Sequence, residues 1–356
     1  MFIIPCIPKL FLFPQDTIPA DRHVIAANEG SSIALAVGYH LATQKNPLVY
    51  MQNSGFGNAV NPLLSLAHPN VYSIPMLLLI GWRGEPGKKD EPQHMVQGKV
   101  MTALLADMGI PFEILPDFKE GAEETIATAA HYLKTRKGPY ALLVKKQNFS
   151  PYKLKSVAPN EQILSREEAI EIITDSLGDR DAIVATTGFT SRELYEIRAS
   201  KNQGHHREFL TVGSMGHASS IALGVALAQP KRQVFTLDGD GALLMHMGAL
   251  TSVGSSGAQN YKHILLNNGA HDSVGGQPSL GFNVDWVSVA NACGYKHSFS
   301  ATTPEEIREG MTKMTELDGP VFFEIKVNKG ARKNLGRPKS SPVQNKEDLM
   351  NFLSQK

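Results

Sequence analysis

Cysteine is nearly absent from this 356-residue chain, with Cys6 and Cys293 the only two. Two thiols cannot build a disulfide framework, and such scarcity fits a reducing, cytoplasmic setting. Charge imbalance is missing as well: 35 Lys and Arg stand against 34 Asp and Glu, a formal net charge of +1. Neither nucleic acid nor a membrane surface is therefore expected as a partner, and any anion must be held locally by a few cations and backbone N–H groups. No apolar run reaches the roughly 18 residues a membrane helix needs. Residues 1–13 are apolar, but Pro5 and Pro8 interrupt them. They have no basic start or small-residue cleavage site, so no signal peptide is expected. There is no low-complexity tract and no short repeat. What remains is an ordinary globular composition, 42% apolar and 19% charged, whose length suggests two domains at roughly 100–200 residues each.

Apolar, β-branched runs alternate with longer helical patterns, which predicts an α/β fold of mainly parallel sheets flanked by helices. In the first half, residues 47–51, 74–81 and 140–145 read as strands, and 29–43, 93–108 and 122–135 as helices. A polar, Pro-bearing stretch follows over residues 147–162. The second series opens at Ser165, where Glu168 three residues on forms a capping box. Its strands are expected at 182–186, 208–212, 233–237, 263–266 and 321–327, and its helices at 191–200, 217–228, 242–252 and 304–314. The chain thus divides into domains 1–150 and 165–330, a linker 151–164, and a basic, mobile tail 331–356 that begins near Lys329.

Chemistry concentrates between Val234 and Ser279. One apolar run ends in Asp238-Gly239-Asp240-Gly241, and the next ends in Asn267-Asn268-Gly269. Both clusters fall at the carboxyl ends of parallel strands, where open α/β sheets bind ligands. They lie about one strand–helix–strand unit apart, so Asp240 and Asn268 can converge from neighbouring strand tips. Mg²⁺ takes six hard oxygens and shares them with phosphates. A carboxylate, an amide oxygen and a carbonyl supply three. The glycines let the backbone approach phosphates, and Gly241 and Ala242 open a helix whose N-terminus attracts anions.

Together these features resemble the signature of thiamine-diphosphate (ThDP) enzymes of the pyruvate decarboxylase type. The resemblance implies ThDP and Mg²⁺ as cofactors and two ThDP-binding-fold domains. It makes Asp240, Asn268 and the carbonyl of Ala270 the metal ligands. Gly213-Ser214-Met215-Gly216 resembles the segment whose apolar residue props the cofactor, a role that falls to Met215; taken alone, Met215 reads as a core side chain. Thr187 and Gly188, in the run 186–190, resemble the loop that touches the diphosphate and aminopyrimidine. Upstream, a strand stub delivers Glu29 to the first turn of a small-residue helix. A Glu at a helix start also suits the helix dipole, worth about 0.3–1 kcal/mol. Beside the signature it resembles the catalytic glutamate that activates the cofactor. In the family this residue acts across a subunit interface, which implies a homo-oligomer, at least a dimer.

Typical pyruvate decarboxylases carry three domains. Two in this length resemble instead the short phosphonopyruvate and sulfopyruvate decarboxylases, over about residues 20–330. The runs 52–62, 81–87, 90–94 and 268–278 carry the likeness. It implies a small anionic 2-oxo acid substrate, 3-phosphonopyruvate, split to phosphonoacetaldehyde and CO₂ in phosphonate biosynthesis. Sulfopyruvate is the alternative substrate. Asn53, Ser54, Arg83 and Lys145 (or Lys146) are substrate candidates, Arg83 through a bidentate fork. His94 and His271 are candidate proton carriers. Each of these cations and histidines also suits a solvated or structural role. Residues 1–23 depart from the family, whose members begin with a further βα unit. The first sheet is therefore expected to lack its opening strand, leaving open a cofactor-binding but inactive isoform.

Overall fold

The computed structural model describes residues 1–4, 16–19, 22–150, 152 and 161–355. Contacts divide the chain into two compact units, Met1–Val157 and Ala158–Lys356. Among the described residues no helix is long and apolar enough to cross a membrane.

The first unit runs β1 (Phe2–Ile4), β2 (His23–Ile25), α1 (Glu29–Thr43), β3 (Leu48–Gln52), α2 (Phe56–Pro62), β4 (Met76–Gly81), α3 (Pro92–Asp107), β5 (Phe112–Ile114), α4 (Lys119–Thr135) and β6 (Pro139–Val144). Its strands are all parallel, in the order β2-β1-β3-β4-β6-β5. Period-two alternation sorts the side chains. Val49, Met51, Leu78 and Ile80 pack with Ile33 of α1 and Leu105 of α3, while Tyr50, Leu79 and Leu142 meet Ala129 and Leu133 of α4. Helices thus cover both faces, as a parallel sheet requires.

An opening strand is present, contrary to expectation. Phe2–Ile4 lies between β2 and β3, with Ile3 paired to Val24 on one side and Val49 on the other. Three apolar residues suffice because Ile3 is fully buried against both neighbours. Of the atypical stretch 1–23, residues 5–15, 20 and 21, Cys6 and Gln15 among them, fall outside the described residues, as does much of the expected linker.

The second unit runs α5 (Arg166–Asp175), β7 (Ala182–Ala185), α6 (Phe189–Ser200), β8 (Glu208–Leu210), α7 (Ala218–Ala228), β9 (Val234–Gly239), α8 (Asp240–Met245), α9 (Ala249–Ser255), β10 (Tyr261–Asn267), α10 (Trp286–Ala292), β11 (His297–Ala301), α11 (Pro304–Glu316), β12 (Val321–Lys326) and α12 (Pro342–Ser354). Its parallel order, β8-β7-β9-β10-β12-β11, repeats that of the first unit strand for strand. The capping box at Ser165 and Glu168 forms as read. Two readings change. The helix expected over 242–252 is two, α8 and α9, broken at His246 and restarted from Gly248. The expected mobile tail contains α12, started by the Ser341 cap and Pro342. Its Leu349 and Phe352 pack on Ala182.

Candidate functional site

In the second sheet the strand order reverses between β7 and β9, and a pocket opens at the carboxyl ends of those strands. Thr187 reaches it from β7 and Met215 from the loop after β8. The β9–α8 turn adds Gly239, Asp240, Gly241 and Ala242, and the segment after β10 adds Asn268, Ala270 and His271. Gly188, Gly213 and Ser214 are not among the lining residues. Gly188 turns the chain into α6 at φ +100°, and a Cβ there would lie 2.9 Å from that of Ser273. Ser214, at φ +52°, belongs to the turn that presents Met215.

Asp240 is buried, and burial pushes its carboxyl up to about 6 against the pull of the Ser279 hydroxyl and the N–H groups of Asn268 and Gly241. Ser279 donates to its Oδ2. The segment after Asn268 folds back as a short ribbon: Ser279 N–H donates to the Gly269 carbonyl and His271 N–H to that of Gln277, each at 2.9 Å. Ala270 faces Pro278 between those bonds, so its own carbonyl points out of the ladder. Asn267, the first amide of the pair, is consumed structurally. It donates to the Gly281 carbonyl at 2.9 Å and to Glu324 at 2.7 Å. Asn268 remains at the pocket.

His271 packs over Gly241, where a Cβ would lie 2.5 Å from its Nδ1. That nitrogen is buried with no hydrogen-bond partner among the described residues. Burial pulls the imidazole down to about 4, so it is neutral at pH 7. The residues fit the cofactor that the resemblance implies. Hard oxygens suit Mg²⁺, Gly241 keeps the backbone bare, and an orphaned ring nitrogen faces it. Among the described residues no group of three or more His, Cys, Asp or Glu could hold a metal ion.

In the first unit, Asn28 caps α1 by accepting from Ser31 N–H at 2.8 Å, and Glu29 begins the helix, buried. Asn58 Nδ2 donates to Glu29 Oε2 at 2.8 Å. The turn after β3 abuts the carboxylate so closely that a Cβ on Gly55 would lie 1.9 Å from Oε1. Desolvation raises the Glu29 carboxyl, with the Asn58 amide opposing. The same turn bears two substrate candidates. Asn53 clamps the backbone of Arg83, its Nδ2 donating to the carbonyl and its Oδ1 accepting from N–H, both at 2.9 Å. Ser54 Oγ accepts from Gln52. The expected fork of Arg83 points at Asp90, with Nε and Nη2 at 2.7 and 2.5 Å, while the side chain stays 40% exposed. Lys145 pairs with Glu85 at 3.6 Å. His94, beside Arg83, is pulled down to about 4 chiefly by burial, and its Nδ1 has no hydrogen-bond partner among the described residues.

Several site residues escaped the sequence reading. Ser279 and Asp272 lay within or beside the quoted runs but carried no motif role. Arg166 read only as the start of a helix, although a cation just inside a helix N-terminus runs against the dipole and signals a local partner. It lines the pocket.

Residues 187–325 match the family model of the thiamine pyrophosphate enzyme C-terminal TPP-binding domain, and residues 2–105 match that of the N-terminal TPP-binding domain. The chain is 35% identical to a phosphonopyruvate decarboxylase of Streptomyces viridochromogenes, across 92% of this chain and 84% of that one. It is 34% identical to one from Streptomyces hygroscopicus, across 91% and 82%. A sulfopyruvate decarboxylase of Methanosarcina acetivorans is 27% identical across 92% and 87%. ThDP with a divalent metal is accordingly the cofactor set. With both units matched and two relatives above 30% identity over most of their length, the chain belongs to the phosphonopyruvate decarboxylase family of thiamine pyrophosphate enzymes.

Proposed function

We propose that this protein uses ThDP and Mg²⁺ to decarboxylate 3-phosphonopyruvate to phosphonoacetaldehyde and CO₂. The observation that carries this is the gathering of Asp240, Asn268 and Ala270 at one pocket in a chain whose 35%-identical relative is a phosphonopyruvate decarboxylase. When bound, the cofactor supplies an electron sink for the bond to the departing carboxylate.

The chain's own residues do the rest. Asp240, Asn268 and the Ala270 carbonyl hold the metal, and Met215 props the cofactor from the side. Thr187 and the Gly239–Ala242 turn receive the diphosphate. Glu29, its pKa raised by burial, holds a proton at its carboxyl to a higher pH than an exposed glutamate and presents it to the pyrimidine ring. His94 and His271, both neutral at pH 7, can each give or take a proton at a ring nitrogen. Arg83, through the face turned away from Asp90, and Lys145 attract the phosphonate.

The proposal includes a cytoplasmic homo-oligomer in which Glu29 of one copy serves a cofactor held by its partner. Val96, Val100 and Leu104, exposed at helical spacing along α3, support an assembly. The test is CO₂ release with ThDP and Mg²⁺. Phosphonopyruvate should exceed sulfopyruvate and pyruvate in kcat/KM. Glu29→Gln should abolish turnover while ThDP still binds. Undiminished turnover by that variant, or a preference for sulfopyruvate, would overturn the reading.

A further inference from the structure

A carboxamide presents an oxygen and an NH₂ of nearly equal shape, and only the oxygen binds a hard cation. Something must therefore decide which way Asn268 faces. Its Nδ2 donates to Asp272 Oδ2 at 2.7 Å, and its Oδ1 accepts from Ala270 N–H at 3.1 Å. Flipping the amide would set oxygen against carboxylate oxygen at one contact and NH₂ against N–H at the other. Both contacts would become repulsive, so the orientation is locked.

Asp272 serves this lock as an acceptor, and the other groups around its Oδ2 are donors too. Arg166 Nη1 lies 3.1 Å from the same Oδ2, and Gly330 N–H donates to it at 2.7 Å. Arg166 is itself fixed by a two-pronged pairing with buried Glu193 at 2.7 and 2.9 Å, and it donates to the Gly330 carbonyl at 3.1 Å. Gly330 is tied down on both sides. Asn328 exchanges two hydrogen bonds with the backbone of Gln162 at 3.0 and 2.6 Å. Arg332 pairs with Glu167 at 2.8 Å and with Glu196. The stretch 328–332, which spans the expected junction of the second domain and a mobile tail, is a strap behind the metal loop.

We propose that Asp272 is a positioning residue: it sets the Asn268 carboxamide with its oxygen toward the metal, and Arg166 and the 328–332 strap set Asp272. This rests on Asn268 being a metal ligand, as the proposed function has it. Groups that hold a metal ligand typically matter by about 10–100-fold in metal affinity.

The test titrates Mg²⁺ into the full-length protein at fixed ThDP, following cofactor binding by near-UV circular dichroism. Asp272→Asn, which can also donate, should need about 10–100-fold more Mg²⁺ for half-saturation, with the thermal midpoint of the cofactor-free protein unchanged. Asp272→Glu, still a pure acceptor, should recover most of the loss. Wild-type Mg²⁺ dependence in the Asn variant overturns the inference, and so does a shift that the Glu variant fails to reduce. Should the Asn variant not fold, Arg166→Lys is read in the same titration; a raised Mg²⁺ requirement supports the strap and an unchanged one overturns it. A wild-type protein that binds ThDP without any divalent cation would instead sink the metal assignment beneath both.

Discussion

Glu29 has its carboxyl raised by burial, with only the Asn58 amide and its own backbone opposing. A raised folded-state pKa means that the native chain keeps a proton the unfolded chain has released. The stability this contributes is present below the unfolded value of 4.5 and is lost as pH climbs through the folded value. Glu29→Gln retains an acceptor for Asn58 and no longer titrates. Its thermal midpoint should therefore exceed that of wild type at pH 8, with the two converging near pH 4. A wild type at least as stable as the variant at pH 8 would contradict this. Glu29, Asp240, Asn268 and Ala270 can be singled out in the sequence because a contiguous motif or a helix start marks each. Asp272 and Arg166 were hidden because their meaning is a pairing across more than a hundred residues, which no local pattern records. Arg83 carries a pairing too: one edge of the fork that its residue type offers a substrate is taken by Asp90, seven residues on.

At the scale of elements, β8 is an edge strand, hydrogen-bonded to β7 on one side only. Its outer side meets a side chain of α12. Asn345 Oδ1 accepts from Leu210 N–H at 2.9 Å, and its Nδ2 donates to the Glu208 carbonyl at 2.8 Å. One amide thus stands in for a neighbouring strand and blunts the edge. Asn345→Leu keeps the volume but strands two backbone groups, at about 1–3 kcal/mol for each buried group left unpaired. Met350→Ala on the exposed side of the same helix should stay within about 0.5 kcal/mol of wild type. Urea midpoints of the two variants check this, and equal midpoints would refute it. The strong runs, β4, β6, β9 and β10, were legible because each is a long apolar stretch. β1, β5 and β11 were not, since none of them is a long apolar run. α12 was obscured by the Lys- and Pro-rich stretch before it, which reads as disorder until Ser341 and Pro342 start the helix.

For the whole molecule, the two tryptophans divide evenly: Trp82 donates to the Gly98 carbonyl in the first unit and Trp286 to the Gly281 carbonyl in the second, both at 2.9 Å. Each unit has its own sheet covered on both faces, so two-state unfolding is not expected of the chain. Trp82→Phe and Trp286→Phe leave one reporter each. Their guanidinium transitions should differ in midpoint, and Mg²⁺ with ThDP should move the Trp286 transition more, because the proposed metal and diphosphate ligands all lie in its unit. Coincident transitions that shift together would show a single cooperative body instead.

The repeated strand order also has a consequence in time. All six strands of the first sheet lie within Phe2–Val144, so none waits for sequence made later. Translation at roughly 5–20 residues per second needs roughly 10–40 s to add the 199 residues that follow Val157. During that interval the first unit can close its sheet on the ribosome, before β12 exists to complete the second.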